Sequence, residues 1–459
     1  MRTRELSRLS ESVSDSLIQL LYNVIFVAVL ILLLPRYLLR MWRRGGYRDG
    51  FMQRFGVYDP AVINRCKAQP PIWIHAVSVG EMHVALQFAR QLRKKLPEMC
   101  FVFSTTTSTG HAVAQKTMDQ SDVLVYYPTD FPFAVKRALN NLRPRALILV
   151  EGEIWPNMIR AARDAGIPVI VCNGRLSKSS YRGYRKLRGL LRPVFRRIDL
   201  LLVQSRREKE WYTELGCDPS RIEVPGSAKY DVVEIEAQPE VQAHVKCLLE
   251  RSGIDAGCRL LVGGSTWAGE EAALIDVFKK LRTDFNDMRL VLVPRHMERR
   301  NEIEALLKAA GLNYVMRSRL DEDSGNGSAG VKAEVLVVDS TGELNGFYAA
   351  AAVVFVGKSL TNRGGQNFLE PAALGKAVLV GPHLENFPVL AEQFMEAGAF
   401  VQVHSVEELT QATRKLLSDD TERARLGSAA RQTVLSNRGV IERSVNRMLP
   451  LLLQQQHQA

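Results

Sequence analysis

VVFVGKSLTNRGGQNFLEPAALGKAVLVGPHLENF, residues Val353 to Phe387, carries the pattern from which the architecture is read. An apolar run, Val353 to Val356, breaks into the turn Asn362-Arg363-Gly364-Gly365. A helical pattern follows and stops at Gly375, and a second apolar run, Ala377 to Val380, ends in Gly381-Pro382. Asn367 with Glu370 three residues on has capping-box spacing, which puts the helix start at Asn367. Strand, glycine turn, helix start and strand is how α/β proteins offer backbone N–H groups to a phosphate. A carboxylate at Glu370 suits a ribose, because two hydroxyls can donate to its two oxygens. The same residues also suit an ordinary βαβ unit in which Glu370 only caps its own helix.

Outward from this stretch the same rhythm recurs. Upstream, Leu260 to Val262, Leu290 to Val293 and Val335 to Val338 read as strands with helices between. Asp321 to Gly330 (DEDSGNGSAG) reads as a surface loop. A polar, proline-containing lapse at Asp231 to Glu240 separates this half from an earlier one. There Pro71 to Val77, Cys100 to Ser104, Leu124 to Tyr127, Ala146 to Val150, Val169 to Cys172 and Leu200 to Val203 are the strand candidates. Strands alternating with helices at this spacing predict two parallel, doubly wound sheets. The expected division is 1–50, 51–235 and 236–459, with the last helices, Val406 to Leu453, closing the second domain and crossing back to the first. Fold alone does not give chemistry.

The first segment has its own character. Leu17 to Leu34 is apolar over about one bilayer thickness, interrupted only by Gln19 and Asn23. Arg2, Arg4 and Arg8 precede it, and Arg36, Arg40, Arg43, Arg44 and Arg48 follow, a bias that puts the next domain on the cytoplasmic side. No small-residue cleavage site follows the run, so a signal peptide fits badly. The expectation is a membrane-anchor helix with a basic segment against anionic headgroups; the competing reading is a helix buried in the first domain or lying in the interface.

Composition narrows the partners. The 459 residues carry a net charge of +12, which suits nucleic acid, an anionic membrane or phosphorylated substrates. No zinc-finger spacing or RNA-binding aromatic signature accompanies the basic clusters, of which Tyr181 to Arg197 is the second, so nucleic acid is not expected. The six cysteines lie far apart with no CxxC pair, and read as reduced thiols rather than a disulfide or metal framework.

Several polar turns leave the predicted strands where open α/β sheets bind ligands. Ser78-Val79-Gly80-Glu81 puts a carboxylate at a helix start, where it can take a proton from an alcohol or merely complement the helix dipole. Val150 to Pro156 (VEGEIWP) sets Glu151 and Glu153 about a glycine ahead of Trp155. Lys229 follows Gly226-Ser227-Ala228. In the second half Gly263 to Trp267 precedes Glu270-Glu271, and Arg295 leaves Pro294 with a guanidinium that suits a phosphate. Asp339 to Leu344 adds another acidic turn.

In this order, Ser-Val-Gly-Glu, Glu-x-Glu-x-Trp-Pro, Gly-Ser-x-Lys-x-Asp, Pro-Arg-His, Gly-Glu-Leu, Arg-Gly-Gly-x-Asn-x-x-Glu and Gly-Pro-His-x-x-Asn-Phe resemble the 3-deoxy-D-manno-octulosonic acid (Kdo) transferases of lipopolysaccharide assembly. The resemblance runs from the N-terminal segment to about Phe387. It implies a GT-B fold of two Rossmann-like domains facing a cleft, the donor CMP-Kdo, and a lipid A precursor (lipid IVA) as acceptor at the inner membrane. It also implies Glu81 as general base, and Glu151 and Lys229 as stabilisers of the transition state. Pro294, Arg295, Thr341, Gly342, Glu343, Asn367, Phe368, Leu369 and Glu370 are implied as the CMP-binding segments. Gln366 stands where histidine is expected, Thr341 where methionine is usual, and Gly152 where threonine is frequent. No cofactor or metal ion is expected: the leaving group carries one phosphate, and no Asp-x-Asp motif leaves a predicted strand. Two other classes share these features, a membrane-associated GT-B enzyme using a UDP-sugar and a non-catalytic protein binding anionic lipid.

Overall fold

The computed structural model describes residues 17–33, 35, 50–255, 257–322 and 332–454. The arginines flanking the apolar run, Leu34, and residues 323–330 of the expected loop lie outside them. Two compact units form, one from residues 17–232 together with 439–454, the other from Val233–Arg438.

The first unit is built on seven parallel strands: β1 (Ile72–His75), β2 (Phe101–Thr105), β3 (Val123–Tyr126), β4 (Ala146–Val150), β5 (Val169–Gly174), β6 (Leu200–Val203) and β7 (Ile222–Glu223). Their order across the sheet is β3-β2-β1-β4-β5-β6-β7. β1, β2, β4, β5 and β6 are buried along their whole length, because helices cover both faces, and this is why they read as continuous apolar runs rather than alternating ones. The order reverses direction between β1 and β4, so the loops that follow them turn to opposite faces and leave a crevice at the carboxyl ends.

The second unit repeats the plan with β8 (Arg259–Thr266), β9 (Met288–Pro294), β10 (Tyr314–Met316), β11 (Val335–Val337), β12 (Val353–Val356), β13 (Ala377–Val380) and β14 (Val401–Gln402). The order is β10-β11-β9-β8-β12-β13-β14, all parallel, with its reversal at β8 and β12. The stretch Val353–Phe387 therefore does hold two adjacent parallel strands, β12 and β13, in register from Val353 opposite Ala377.

The division differs from the expected 51–235 and 236–459. The chain leaves the first unit after Val232 and returns at Gly439, so helix Val440–Gln454 belongs to the first unit. Its Val440, Ile441, Val445, Met448 and Leu452 complete that unit's core beside Met82, Phe88 and Ile148. Asp231 holds the return point, its two carboxylate oxygens accepting the Gly439 N–H at 2.7 Å and the Ile441 N–H at 2.6 Å.

Residues 17–33 are helical. Among the described residues no helix is long and apolar enough to cross a membrane. The two polar residues interrupting the apolar run face the first unit. Gln19 Nε2 donates to Asn157 Oδ1 at 3.2 Å, and Asn157 Nδ2 donates to Asn23 Oδ1 at 2.7 Å. Between them the Tyr22 hydroxyl donates to Asp130 at 2.9 Å. Phe26 meets Phe131 edge-on, continuing the same stripe at helical spacing.

Candidate active site

Glu81 lies in the first turn of helix Val79–Lys95, at the helix start where the sequence places it. Ser78 is the N-cap and accepts the Glu81 N–H at 3.3 Å, while its hydroxyl donates to Glu81 Oε1 at 2.8 Å. Glu81 Oε2 accepts the Val77 N–H at 2.9 Å. The Val77 carbonyl is held in turn by the hydroxyls of Thr105, at 3.0 Å, and Thr107, at 2.8 Å. The threonine-rich turn after β2 thus fixes the peptide that aims Glu81. Capping its own helix and standing in the crevice are the same geometry here. Burial, and then the charge of Glu151, raise the Glu81 carboxyl above the ordinary value against these hydrogen bonds.

Glu151 leaves β4 with φ of +63°, a left-handed conformation unusual for a residue with a side chain. Strained backbone of this kind is found where a side chain must be re-aimed. Glu151 Oε1 lies 3.9 Å from Lys229 Nζ and accepts from Asn173 Nδ2 at 3.4 Å, and Oε2 lies 4.0 Å from Arg175. Asn173 is also left-handed, and its Oδ1 accepts the Ala228 N–H at 2.9 Å, tying the end of β5 to the turn that carries Lys229. Burial lowers the Lys229 ammonium from its usual range, with Glu151 opposing. Gly152 leaves room for little else: an added Cβ would lie 2.9 Å from the Arg175 carbonyl oxygen. Glu81, Glu151 and Lys229, separated by up to 148 positions in sequence, gather at the ends of β1, β4 and β7.

Glu153, the second acid of the Glu-x-Glu pair, is not among the residues to which the family resemblance gives a role. Burial first, and then the charge of Glu81, push its carboxyl up to about 7, while the Trp155 indole N–H, 3.0 Å from Oε2, holds it down. Its signal was the second acid of the Glu-x-Glu pair, but the neighbours that shift it come from other elements. An acid raised in the folded state contributes stability that is complete below its unfolded value and lost as pH rises through the folded one. From the ordinary 4.5 to about 7, wild-type melting temperature should therefore decline. Glu153→Gln should flatten that decline in thermal denaturation scans; an unchanged slope would assign the titration elsewhere.

In the second unit, Arg295 follows β9 and its N–H donates to the Thr266 carbonyl at 3.0 Å, pinning the loop to the end of β8. Partial burial raises the Glu370 carboxyl; the Asn367 amide, 2.8 Å from Oε1, and the nearby Arg295 guanidinium oppose that shift. Arg295, Asn367 and Glu370 are thus brought together. The expected capping box does not form. Helix Leu369–Ala373 begins two residues after Asn367 and its N-cap is Phe368 without a side-chain cap; Asn367 Oδ1 accepts the Leu369 N–H at 3.3 Å while its amide donates to the Glu370 carboxylate. Phe368 and Leu369 are wholly buried, Phe368 among Phe387, Phe394 and Phe400. Their side chains are core, leaving only backbone for a ligand.

Glu343 is occupied within the unit. Arg317 grips it with Nε at 3.0 Å and Nη2 at 2.9 Å, His244 Nε2 stands 2.8 Å away, and the Ser340 hydroxyl donates to it. Burial raises its carboxyl, but these bonds outweigh burial and leave it below the usual range. Gly342 before it is left-handed at φ +93°.

The reversal at β8 and β12 carries a residue that sequence reading saw only as part of a helix start. Glu270 is fully buried and accepts four backbone N–H groups: Trp267 at 2.9 Å, Lys358 at 2.7 Å, Ser359 at 2.9 Å and Leu360 at 3.0 Å. One carboxylate therefore clamps the loops after both strands.

Two parallel α/β units, each with acidic and basic side chains gathered at its sheet reversal, make a GT-B-like fold. HepE of Anabaena, solved in complex with UDP, shares that fold with a TM-score of 0.55 at 12% identity, covering 84% of this chain and 99% of its own. The family model for 3-deoxy-D-manno-octulosonic-acid transferase matches residues 49–232, and that for glycosyl transferases group 1 matches residues 272–433. The 3-deoxy-D-manno-octulosonic acid transferase of Haemophilus influenzae is 31% identical over 88% of this chain and 92% of its own length. That of Bordetella pertussis is 32% identical, over 90% and 96%. The chain belongs to the Kdo transferase family.

Proposed function

We propose that the chain transfers Kdo from CMP-Kdo to a lipid A precursor of the lipid IVA type, without a metal ion. The observation that carries this reading is the setting of Glu81, aimed by the Val77 peptide and Ser78 beside the Glu151–Lys229 pair. An acceptor hydroxyl gives its proton to Glu81 as its oxygen bonds to the anomeric carbon of Kdo, and the bond from that carbon to the CMP phosphate oxygen breaks. Lys229, held by Glu151, offers positive charge where charge develops. In the second unit Arg295 suits the phosphate, and Glu370, steadied by Asn367, suits the ribose diol. Pro294, Thr341, Gly342 and Glu343 shape the remaining donor contacts, with Glu343 acting through Arg317.

The site of action in this reading is the inner membrane, on the cytoplasmic side. Helix 17–33 presents Gln19, Tyr22, Asn23 and Phe26 to the first unit and turns Leu17, Leu20, Leu21, Val24 and Ile25 outward, Leu20 at 60% exposure. This inverts the usual pattern of a helix on a soluble core, and suits a helix lying in one leaflet. Phe133, half-exposed and stacked with Phe131 and Phe55, continues the apolar surface. Replacing Leu20 and Leu21 together by Asp should weaken cosedimentation with phosphatidylglycerol vesicles at least tenfold, since each buried Leu is worth about 2 kcal/mol. Unchanged binding would exclude this face as the membrane contact.

The test of the reaction is turnover with CMP-Kdo generated in place and tetraacylated lipid A precursor, with products read by mass. A product heavier by one or more Kdo units is expected. Absence of product, together with stabilisation by a uridine nucleotide and none by CMP, would favour the UDP-sugar enzyme.

A further inference from the structure

Lys358 follows β12 with φ of +56°, one of five residues with side chains, among those described, held in a positive-φ conformation. Glycine or asparagine would occupy it at less cost. Its backbone is fixed on both sides, the N–H donating to Glu270 at 2.7 Å and the carbonyl accepting the Gly365 N–H at 2.8 Å. The strained conformation is therefore imposed by the clamp, and it directs the side chain along the glycine turn. Its Cε lies 3.5 Å from where a Cβ on Gly364 would stand.

The ammonium it delivers has an aromatic partner and no anionic one. Nζ lies 4.5 Å from the centre of the Trp267 ring, and among the described residues Lys358 makes no ion pair. His296, next to Arg295, packs edge-on against the same indole at 4.9 Å. The loops after β8, β9 and β12 thus meet at Trp267, with Lys358 on it. This is the carboxyl edge of the sheet at its reversal, where an α/β unit takes an anionic ligand.

We propose that Lys358 is a donor-binding residue, whose ammonium pairs with an anionic oxygen of the sugar nucleotide, on the phosphate or on the sugar carboxylate. The inference rests on the CMP-sugar reading of this unit. A cation kept on an indole face is partly desolvated and keeps its charge available, and a strained lysine where glycine fits better is retained for what its side chain does.

Lys358→Gly and Lys358→Asn remove the cation and accept the left-handed backbone, and Lys358→Arg keeps the charge. With CMP-Kdo as donor, KM should rise at least about tenfold in the first two and much less in the arginine variant, while their melting temperatures stay at or above wild type. CMP, followed by thermal shift, separates the two oxygens. Equal loss of CMP affinity assigns the contact to the phosphate, and unchanged CMP affinity with raised KM assigns it to the sugar carboxylate. A KM within twofold of wild type in both folded variants overturns the proposal. A melting temperature lowered in both, with KM unchanged, would make Lys358 a purely structural partner of Trp267. Wild type that neither binds CMP nor turns over CMP-Kdo would instead remove the donor reading itself.

Discussion

Glu81→Gln should reduce turnover with CMP-Kdo and lipid A precursor by roughly a hundredfold or more, the usual scale for losing a general base, while KM and melting temperature change little. Glutamine retains an oxygen for the Val77 N–H and an amide for Ser78, so the capped turn survives and proton acceptance does not. Glu81→Ala removes both, and should add a stability loss of about 1 kcal/mol, as for a lost cap. The contrast between the variants separates the two duties of this side chain. Were Glu81→Gln to turn over like wild type, Glu81 would be a helix cap and nothing more, and Glu153, with its carboxyl near 7, would be the next base to remove.

The second large effect lies at Glu270. Glu270→Ala withdraws one acceptor from four backbone N–H groups. Charge-assisted bonds of this kind are worth about 1.5–3 kcal/mol each, and buried donors left unpaired add to the loss. The clamp is not additive, because water will reach some of these groups, so the second unit should lose about 4 kcal/mol in all. Hydrogen exchange read on peptides from 357–365 should accelerate well beyond the rest of that unit, and stabilisation by CMP should vanish. Exchange in that turn as slow as in wild type would mean that Ser359, whose hydroxyl accepts the Gly381 N–H at 2.8 Å, holds the turn by itself.

The central strands were legible because burial on both faces leaves an unbroken apolar run; Ala146–Val150, Leu200–Val203 and Val353–Val356 were read with the bounds they have. The strands not read, β7, β10 and β14, are two or three residues long at or near sheet edges, too short to carry a period. Asn367 misled because spacing alone cannot say how its two side-chain atoms divide: the oxygen accepts the Leu369 N–H and the amide holds the Glu370 carboxylate, which leaves no reciprocal box. Gln19 and Asn23 looked like blemishes in an apolar run, since their partner Asn157 is 138 and 134 positions away. Glu270 was hidden for the same reason: three of its four donors come from 88 to 90 residues later. Motif order located the acids, but only tertiary neighbours could say which of them titrate near neutrality and which are clamps.

Helix Val440–Gln454 lies in the core of the first unit although 206 residues of the second, Val233 to Arg438, precede it. A ribosome working from one end must finish the inserted unit before it supplies the side chains that close the earlier one. The sheet bearing Glu81, Glu151 and Lys229 consequently waits, with Met82, Phe88 and Ile148 uncovered, until residues 440–452 have been made. Exposed apolar surface of that kind is what chaperones hold. The second unit matures first and the sheet bearing Glu81 last, so a chain interrupted in the cell before residue 439 would carry a finished second unit and an open first one.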